Sequence, residues 1–234
     1  MKLSLLIPVY NEEKTICKVL DVLKKVSLGV QKEIIIVNDG SKDQSKKVIE
    51  SYLKKNPSTK DVCWKFASKE NGGKGSALRM ALQHATGNIT IIQDADLEYK
   101  PEEIAILIKE YQKGKADVIY GSRILNKKNK TAYLSYYLGN RFLSLVTSIL
   151  YGKSITDMET CYKLLPLKIF KELQIKRNRF DIEPEITGKI LKKGYTIKEI
   201  PITYSPRSIE EGKKIGWRDG LTALWVLFSI RIRK

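Results

Sequence analysis

Asp94, Asp96 and Glu98 occupy alternate positions in the segment QDADLEY, residues 93–99. Alternate positions in an extended segment point to the same side. Three hard oxygen donors on one side suit Mg2+ or Mn2+, ions that keep several waters and bridge to substrate phosphates. A lone D-x-D is more often an acidic capping turn, here ahead of Pro101; its place after an apolar run, Asn88–Gln93, and alongside the other motifs favours the metal. NDGS, residues 38–41, reads either as a turn followed by a helix cap or as an Asp39 that accepts from a nucleobase or ribose. NGGKGSA, residues 71–77, lacks the spacing of a Walker phosphate loop, but its glycines and Lys74 ahead of a helix favour an anion weakly. The single histidine, His84, excludes a mechanism that needs two and any His-rich metal site. Acid–base chemistry near neutral pH therefore falls to carboxylates.

These residues need strands to carry them. Leu3–Val9, Glu33–Val37, Val62–Ala67, Asn88–Gln93 and Ala116–Tyr120 are apolar runs of strand length. Between them lie stretches with helical spacing: Glu12–Val26, Asp43–Lys54, the segment opened by NGGKGSA, and Glu102–Lys113 behind Pro101. Strand–helix alternation of this kind predicts an α/β fold, a Rossmann-like, mostly parallel sheet covered by helices. Ligands in such sheets bind beyond the carboxyl ends of the strands. YNEE, NDGS, DADLEY and GSR each follow an apolar run, and that fourfold coincidence is the first functional signal. The second half reads as a turn and strand in DMETCYKLLP, a helix in FDIEPEITGKILKKGY with Gly194 just past its end, a strand in TIKEIPITYSPR, and a basic helix over 213–234.

The chain has 234 residues, enough for one sizeable α/β domain; we expect a single domain with a nucleotide-binding half over 1–122 and an acceptor-side half over 123–234. The formal charge of +17 calls for an anionic partner, whether nucleic acid, lipid headgroup or phosphorylated substrate. The carboxylate cluster would repel a nucleic-acid backbone unless a metal intervened, which makes nucleic-acid binding the lesser reading. Cys17, Cys63 and Cys161 are odd in number and far apart, which argues for packing roles in a reducing compartment. The longest uncharged apolar stretches, Phe142–Gly152 and Leu221–Ile230, fall short of the ~20 residues that cross a bilayer, and no targeting segment is recognised. Such stretches can still lie on a membrane. From Val118 to Thr156 there is no acidic residue, while Arg123, Arg141 and several lysines are interleaved with Tyr, Leu and Phe.

The motifs IPVYNEE, VNDGSKD, GGKGSAL, DADLEY, GSR, GNR, DMETCYK, EPEIT and PITYSPR occur in this order. The set resembles the family 2 glycosyltransferases of the GT-A fold, in the branch of the dolichyl- and polyprenyl-phosphate mannose or glucose synthases. The resemblance implies a nucleotide pocket lined by Pro8, Tyr10, Glu12, Val37 and Asp39. It places Asp94, Ala95 and Asp96 against the sugar and diphosphate, and the metal on Asp96 and Glu98 with Asp94 close by. It sets Arg123 on the acceptor side, and Arg207 and Lys213 over the diphosphate. Glu183 and Glu185 fall to structural or donor-shell roles. Asp157 would be either the base that a hydroxyl acceptor needs or a residue that orients a phosphate acceptor, with Glu159 two positions on. Arg123 and Arg141 would bind the acceptor.

The expectation is an inverting, metal-dependent hexosyltransferase that moves mannose or glucose from a GDP- or UDP-sugar to polyprenyl or dolichyl phosphate. The alternative is the same fold acting on a glycan or cell-envelope hydroxyl. Relatives in this branch often carry transmembrane helices, so this chain is expected either to lie peripherally on the cytoplasmic face of an anionic membrane or to work with a membrane-anchored partner protein.

Overall fold

The computed structural model describes residues 1–129, 133–207 and 216–232. The first half builds β1 (Lys2–Val9), α1 (Ile16–Lys25), β2 (Gln31–Asp39), α2 (Ser45–Lys55), β3 (Val62–Lys69), α3 (Lys74–His84), β4 (Ile89–Ile92), α4 (Ile104–Gln112) and β5 (Val118–Ser122). A single 3-10 turn, Pro101–Glu103, precedes α4 and takes the residues expected to open that helix. Then follow α5 (Leu134–Tyr151), β6 (Lys163–Pro166), α6 (Leu167–Glu172), α7 (Ile182–Lys192), β7 (Ile197–Pro201) and α8 (Trp217–Ile232).

The seven strands form one sheet in the order β3-β2-β1-β4-β6-β5-β7. β6 alone runs antiparallel to its neighbours; the other pairings are parallel. The mostly parallel, helix-covered α/β sheet expected from the sequence is therefore the one observed. Leu3, Leu5–Ile7 and Ile34–Val37 are fully buried, as strands covered on both faces require. Lys32 is buried too, and its ammonium donates to the carbonyls of Leu23 and Val26 at 2.7 Å, closing the C-terminus of α1. A smaller core of Leu143, Met158, Leu191 and Leu227 joins α5, α7 and α8 to the sheet's flank.

Because β1, β2, β4 and β5 all point the same way, their carboxyl ends share one edge. Tyr10–Glu12, Asp39, Asp94–Glu98 and Arg123 follow from those ends and meet there.

Candidate active site

The chain does not leave β4 extended. Leu97 adopts φ 63°, and residues 94–98 turn, with the Glu98 amide donating to Asp96 at 3.2 Å. The turn, rather than strand alternation, brings Asp96 and Glu98 together. Residues 204–207 are laid along it. Tyr204 bridges Tyr99, and the amides of Ser205 and Arg207 donate to the Glu98 backbone carbonyl and side chain at 2.9 Å each. The Tyr204 hydroxyl donates to the same carboxylate at 2.7 Å.

Arg207 thereby points its guanidinium into a ring of acids. Its Nη2 donates to Asp96 at 2.9 Å, its Nη1 to Glu12 at 3.1 and 3.2 Å, and its Nε lies 3.9 Å from Glu98 with no hydrogen-bond partner. Asp94 faces the other way, 2.9 Å from the Lys74 ammonium, which also contacts Glu183 at 3.1 Å. Lys163, fully buried, completes this row by pairing with Glu183. Among the described residues no three His, Cys, Asp or Glu side chains are gathered as a metal cage. Asp94 is drawn off by Lys74, and Arg207 stands between Asp96 and Glu98. The donor set nevertheless fits a hard cation. Burial first, then the charges of Asp94 and Glu98, push the Asp96 carboxyl up to about 7 despite Arg207, and a further cation at this turn would offset both charges. Asp94 lies below its ordinary range: burial would raise it, but the Lys74 charge and hydrogen bond outweigh that.

At the end of β2, Asp39 is 2% exposed and wrapped by the glycine loop. It accepts from the amides of Gly72 at 3.0 Å and Gly73 at 2.7 Å, from the Asn71 side chain, and from Lys69 at 2.8 Å. NGGKGSA thus acts here as a clasp on β2, and Lys74 faces Asp94. Val37 and Ala95 are buried beneath the edge, while Pro8, Tyr10 and Glu12 are half-buried along it. The clasp demands glycine at position 73, where φ is +94° and an added Cβ would stand 2.5 Å from the Asn178 carbonyl oxygen. Gly73→Ala is expected to cost at least about 2 kcal/mol and to lower the melting temperature by roughly 4–8 °C, readable by calorimetry.

Arg123 follows β5 and is fixed by Asp157, which is fully buried. The Asp157 carboxylate accepts from the Arg123 amide and Nε at 2.8 Å each, from Nη2 at 2.7 Å, and from the Asn140 side chain at 2.8 Å. Burial would raise Asp157, but Arg123's charge and hydrogen bonds hold it below the usual carboxylate range. Glu199 of β7 in turn accepts from the Thr156 and Asp157 amides. Asp157 is thus fully buried with both carboxylate oxygens engaged by Arg123 and Asn140. Arg123 also lies 5.1 Å from the centroid of the Tyr204 ring.

Arg123, Tyr204 and Glu159 line a groove of about 890 Å³ that runs out between α5 and the start of α8. Arg141 does not line it. It borders a separate hollow with Lys153 and Thr156, because Asn140 faces Asp157 and the next residue is rotated by roughly 100° around the helix. Arg141 is thus not brought to Arg123. Lys213 lies outside the described residues. Tyr204, Asn140 and Lys163 are site residues that sequence reasoning passes over, and nothing in the sequence pairs Lys74 with Glu183. PITYSPR flags Tyr204 by position, but nothing in it announces a contact with Glu98.

A Rossmann-like sheet with a carboxylate turn after its fourth strand, facing a groove on its far flank, is the arrangement of the GT-A fold. Residues 4–174 match the model of the glycosyl transferase family 2, and the chain belongs to that family. It is 31% identical over 217 residues to a dolichyl-phosphate beta-glucosyltransferase of Trichomonas vaginalis, covering 87% of this chain and 65% of that protein. It is 30% identical over 230 residues to the UDP-N-acetylglucosamine–dolichyl-phosphate N-acetylglucosaminyltransferase of Methanococcus voltae, covering 90% and 89%. Among solved structures it is similar to glucosyl-3-phosphoglycerate synthase from Mycobacterium tuberculosis in complex with UDP, at TM-score 0.72 and 16% identity over 98% of this chain and 80% of that one. The same enzyme in complex with Mn2+, UDP and glucosyl-3-phosphoglycerate gives TM-score 0.70, at 16% identity over 98% and 79% of the two chains. At such identity these two likenesses show the fold alone.

Proposed function

We propose that this glycosyltransferase moves a hexose from a nucleoside-diphosphate sugar to a polyprenyl or dolichyl phosphate. The observation that carries the proposal is the join at Tyr204. One face of this residue belongs to the groove with Arg123, and its hydroxyl bonds Glu98 of the carboxylate turn. An acceptor phosphate held by Arg123 would thus lie beside the donor's diphosphate side. The names of the Trichomonas and Methanococcus relatives support a dolichyl-phosphate acceptor.

In this reading Pro8, Tyr10 and Glu12 line the nucleotide pocket, with Val37, Asp39 and Ala95 forming the wall beneath it. Asp96 and Glu98, with Asp94 behind them, would hold Mg2+ or Mn2+, which neutralises charge developing on the leaving diphosphate. Arg207 adds a second cation there, and Lys213 is assigned the same task. Asp157 keeps Arg123 in place. A phosphate oxygen of the acceptor attacks the anomeric carbon as the bond to the diphosphate breaks. The configuration inverts, and no proton need be removed from the nucleophile.

The surface beside the groove suits a lipid. Leu138, Phe142, Leu145 and Ile149 form an exposed stripe along α5, and Leu221, Trp225, Phe228 and Ile232 form one along α8. The two helices pack on each other. No helix among the described residues is long and apolar enough to cross a membrane. With the basic charge around them, these stripes suit a peripheral position on an anionic, cytoplasmic membrane face, with or without a membrane-anchored partner. The protein should co-sediment with anionic vesicles at low salt, by roughly 1 kcal/mol per basic residue near the surface, and less as salt rises. Ile149 is 73% and Trp225 54% exposed, so an Ile149→Glu/Trp225→Glu variant should fold normally and lose that binding. Equal co-sedimentation of the variant would remove this support.

A further inference from the structure

Glu159 is half-buried, lines the groove with Arg123 and Tyr204, and accepts no hydrogen bond from the described residues. The charges that bear on it most are those of Arg123 after β5, Asp157 upstream on its own loop, Lys163 of β6 and Glu183 of α7. Lys127, Asp219 and three tyrosines of the 133–137 segment complete the titratable rim. Both nearby cations are already committed. Arg123 gives Nε and Nη2 to Asp157, and Lys163 gives its ammonium to Glu183 and the Thr160 carbonyl. Glu159 therefore faces the groove without a counter-ion of its own and with two buried carboxylates behind it.

We propose that Glu159 enters the acceptor complex as the protonated acid and donates a hydrogen bond to the acceptor's phosphate, which makes it a specificity-determining residue of the groove. The inference rests on the lipid-phosphate reading above. Its charge state agrees. Burial raises the Glu159 pKa most, Lys163 opposes, and Glu183 adds to the rise, leaving it at about 7. A carboxylic acid kept neutral near pH 7 can serve as a hydrogen-bond donor, whereas the ionised form would repel a phosphate. Because the pKa is raised, the donor form is present at lower pH and is lost as pH rises through about 7. Arg123 supplies the cation, Glu159 the neutral donor, and a plain hydroxyl acceptor would use neither fully.

The test is equilibrium binding of a short-chain isoprenyl monophosphate, with the matching isoprenyl alcohol as control, followed by calorimetry across pH. Wild-type affinity for the phosphate should fall at least about tenfold between about pH 6 and about pH 8.5, the size expected for one lost charge-assisted hydrogen bond. Glu159→Gln keeps a donor without a charge. It should abolish that fall and bind the phosphate more tightly than wild type at the upper pH. Glu159→Asp keeps a titrating carboxyl and should retain the fall, so the result does not hang on one variant's folding. Identical pH courses for wild type and Glu159→Gln would overturn the inference while leaving the acceptor class standing. If the phosphate binds no better than the alcohol to any of the three, the lipid-phosphate reading fails and this inference with it. Transfer that rises through about pH 7 in wild type and vanishes in Glu159→Gln would mark Glu159 as a proton acceptor, also against the inference.

Discussion

Asp96→Asn is expected to leave the fold intact and to lower sugar transfer at least about a hundredfold, a loss of ~3 kcal/mol of transition-state stabilisation. Asp96 is the acid of the turn nearest the Arg207 guanidinium, and its ionised form is disfavoured first by burial and then by the charges of Asp94 and Glu98. A divalent cation would relieve that repulsion and then hold a diphosphate, whereas an amide has no charge to offer the cation. Removing the charge should not harm folding, because burial and the charges of Asp94 and Glu98 already oppose it. Initial rates with Mg2+ or Mn2+, alongside a melting curve, check both halves. Near wild-type turnover of the variant, or of wild type in the presence of a chelator, would remove the metal from the mechanism.

Asp157→Asn should lower kcat through Arg123, with no recovery at high pH. The carboxylate takes three hydrogen bonds from Arg123 and one from Asn140 while fully buried. Removing one partner of such a pair typically costs about 3–5 kcal/mol of stability, less where the replacement keeps its shape. The sign with pH follows from the lowered pKa. The ion pair's contribution is present above the unfolded value of roughly 4 and is lost as pH falls below it. Denaturant melts of wild type and variant should therefore differ at neutral pH and converge in acid. A base at this position would behave otherwise: wild-type rates would carry an acid limb that the variant lacks, with a 10²–10⁴-fold loss.

The site is legible in the sequence where its geometry follows from strand ends. YNEE, NDGS, DADLEY and GSR declare themselves because β1, β2, β4 and β5 are apolar runs and parallel strands deliver their ends to one edge. What pairs across that edge is less legible. The pairing of Lys74 with Asp94 and of Arg207 with Asp96 joins residues 20 and 111 positions apart, and only packing decides such partners. The direction of β6 is hidden for a similar reason. KLLP is apolar in either orientation, and its place between β4 and β5 is set by the route through α5. Arg141 illustrates the limit of a composition argument. The window 123–153 is basic throughout, but the helix turns Asn140 toward Asp157 and Arg141 away from the groove. Glu159 is visible as a residue and silent as a role, because only the commitment of Arg123 and Lys163 elsewhere leaves its carboxyl alone.

The most direct measurement of the acceptor class is transfer by the purified full chain, with Mg2+ or Mn2+, from a sugar-labelled nucleoside-diphosphate hexose to a mixture of short-chain polyprenyl phosphate and the corresponding alcohol. If the acceptor is a lipid phosphate, label appears in an organic-extractable glycosyl phospholipid, depends on the metal, and leaves the alcohol untouched. Label carried to the alcohol or to an added glycan, with the polyprenyl phosphate unglycosylated, would contradict the proposed function.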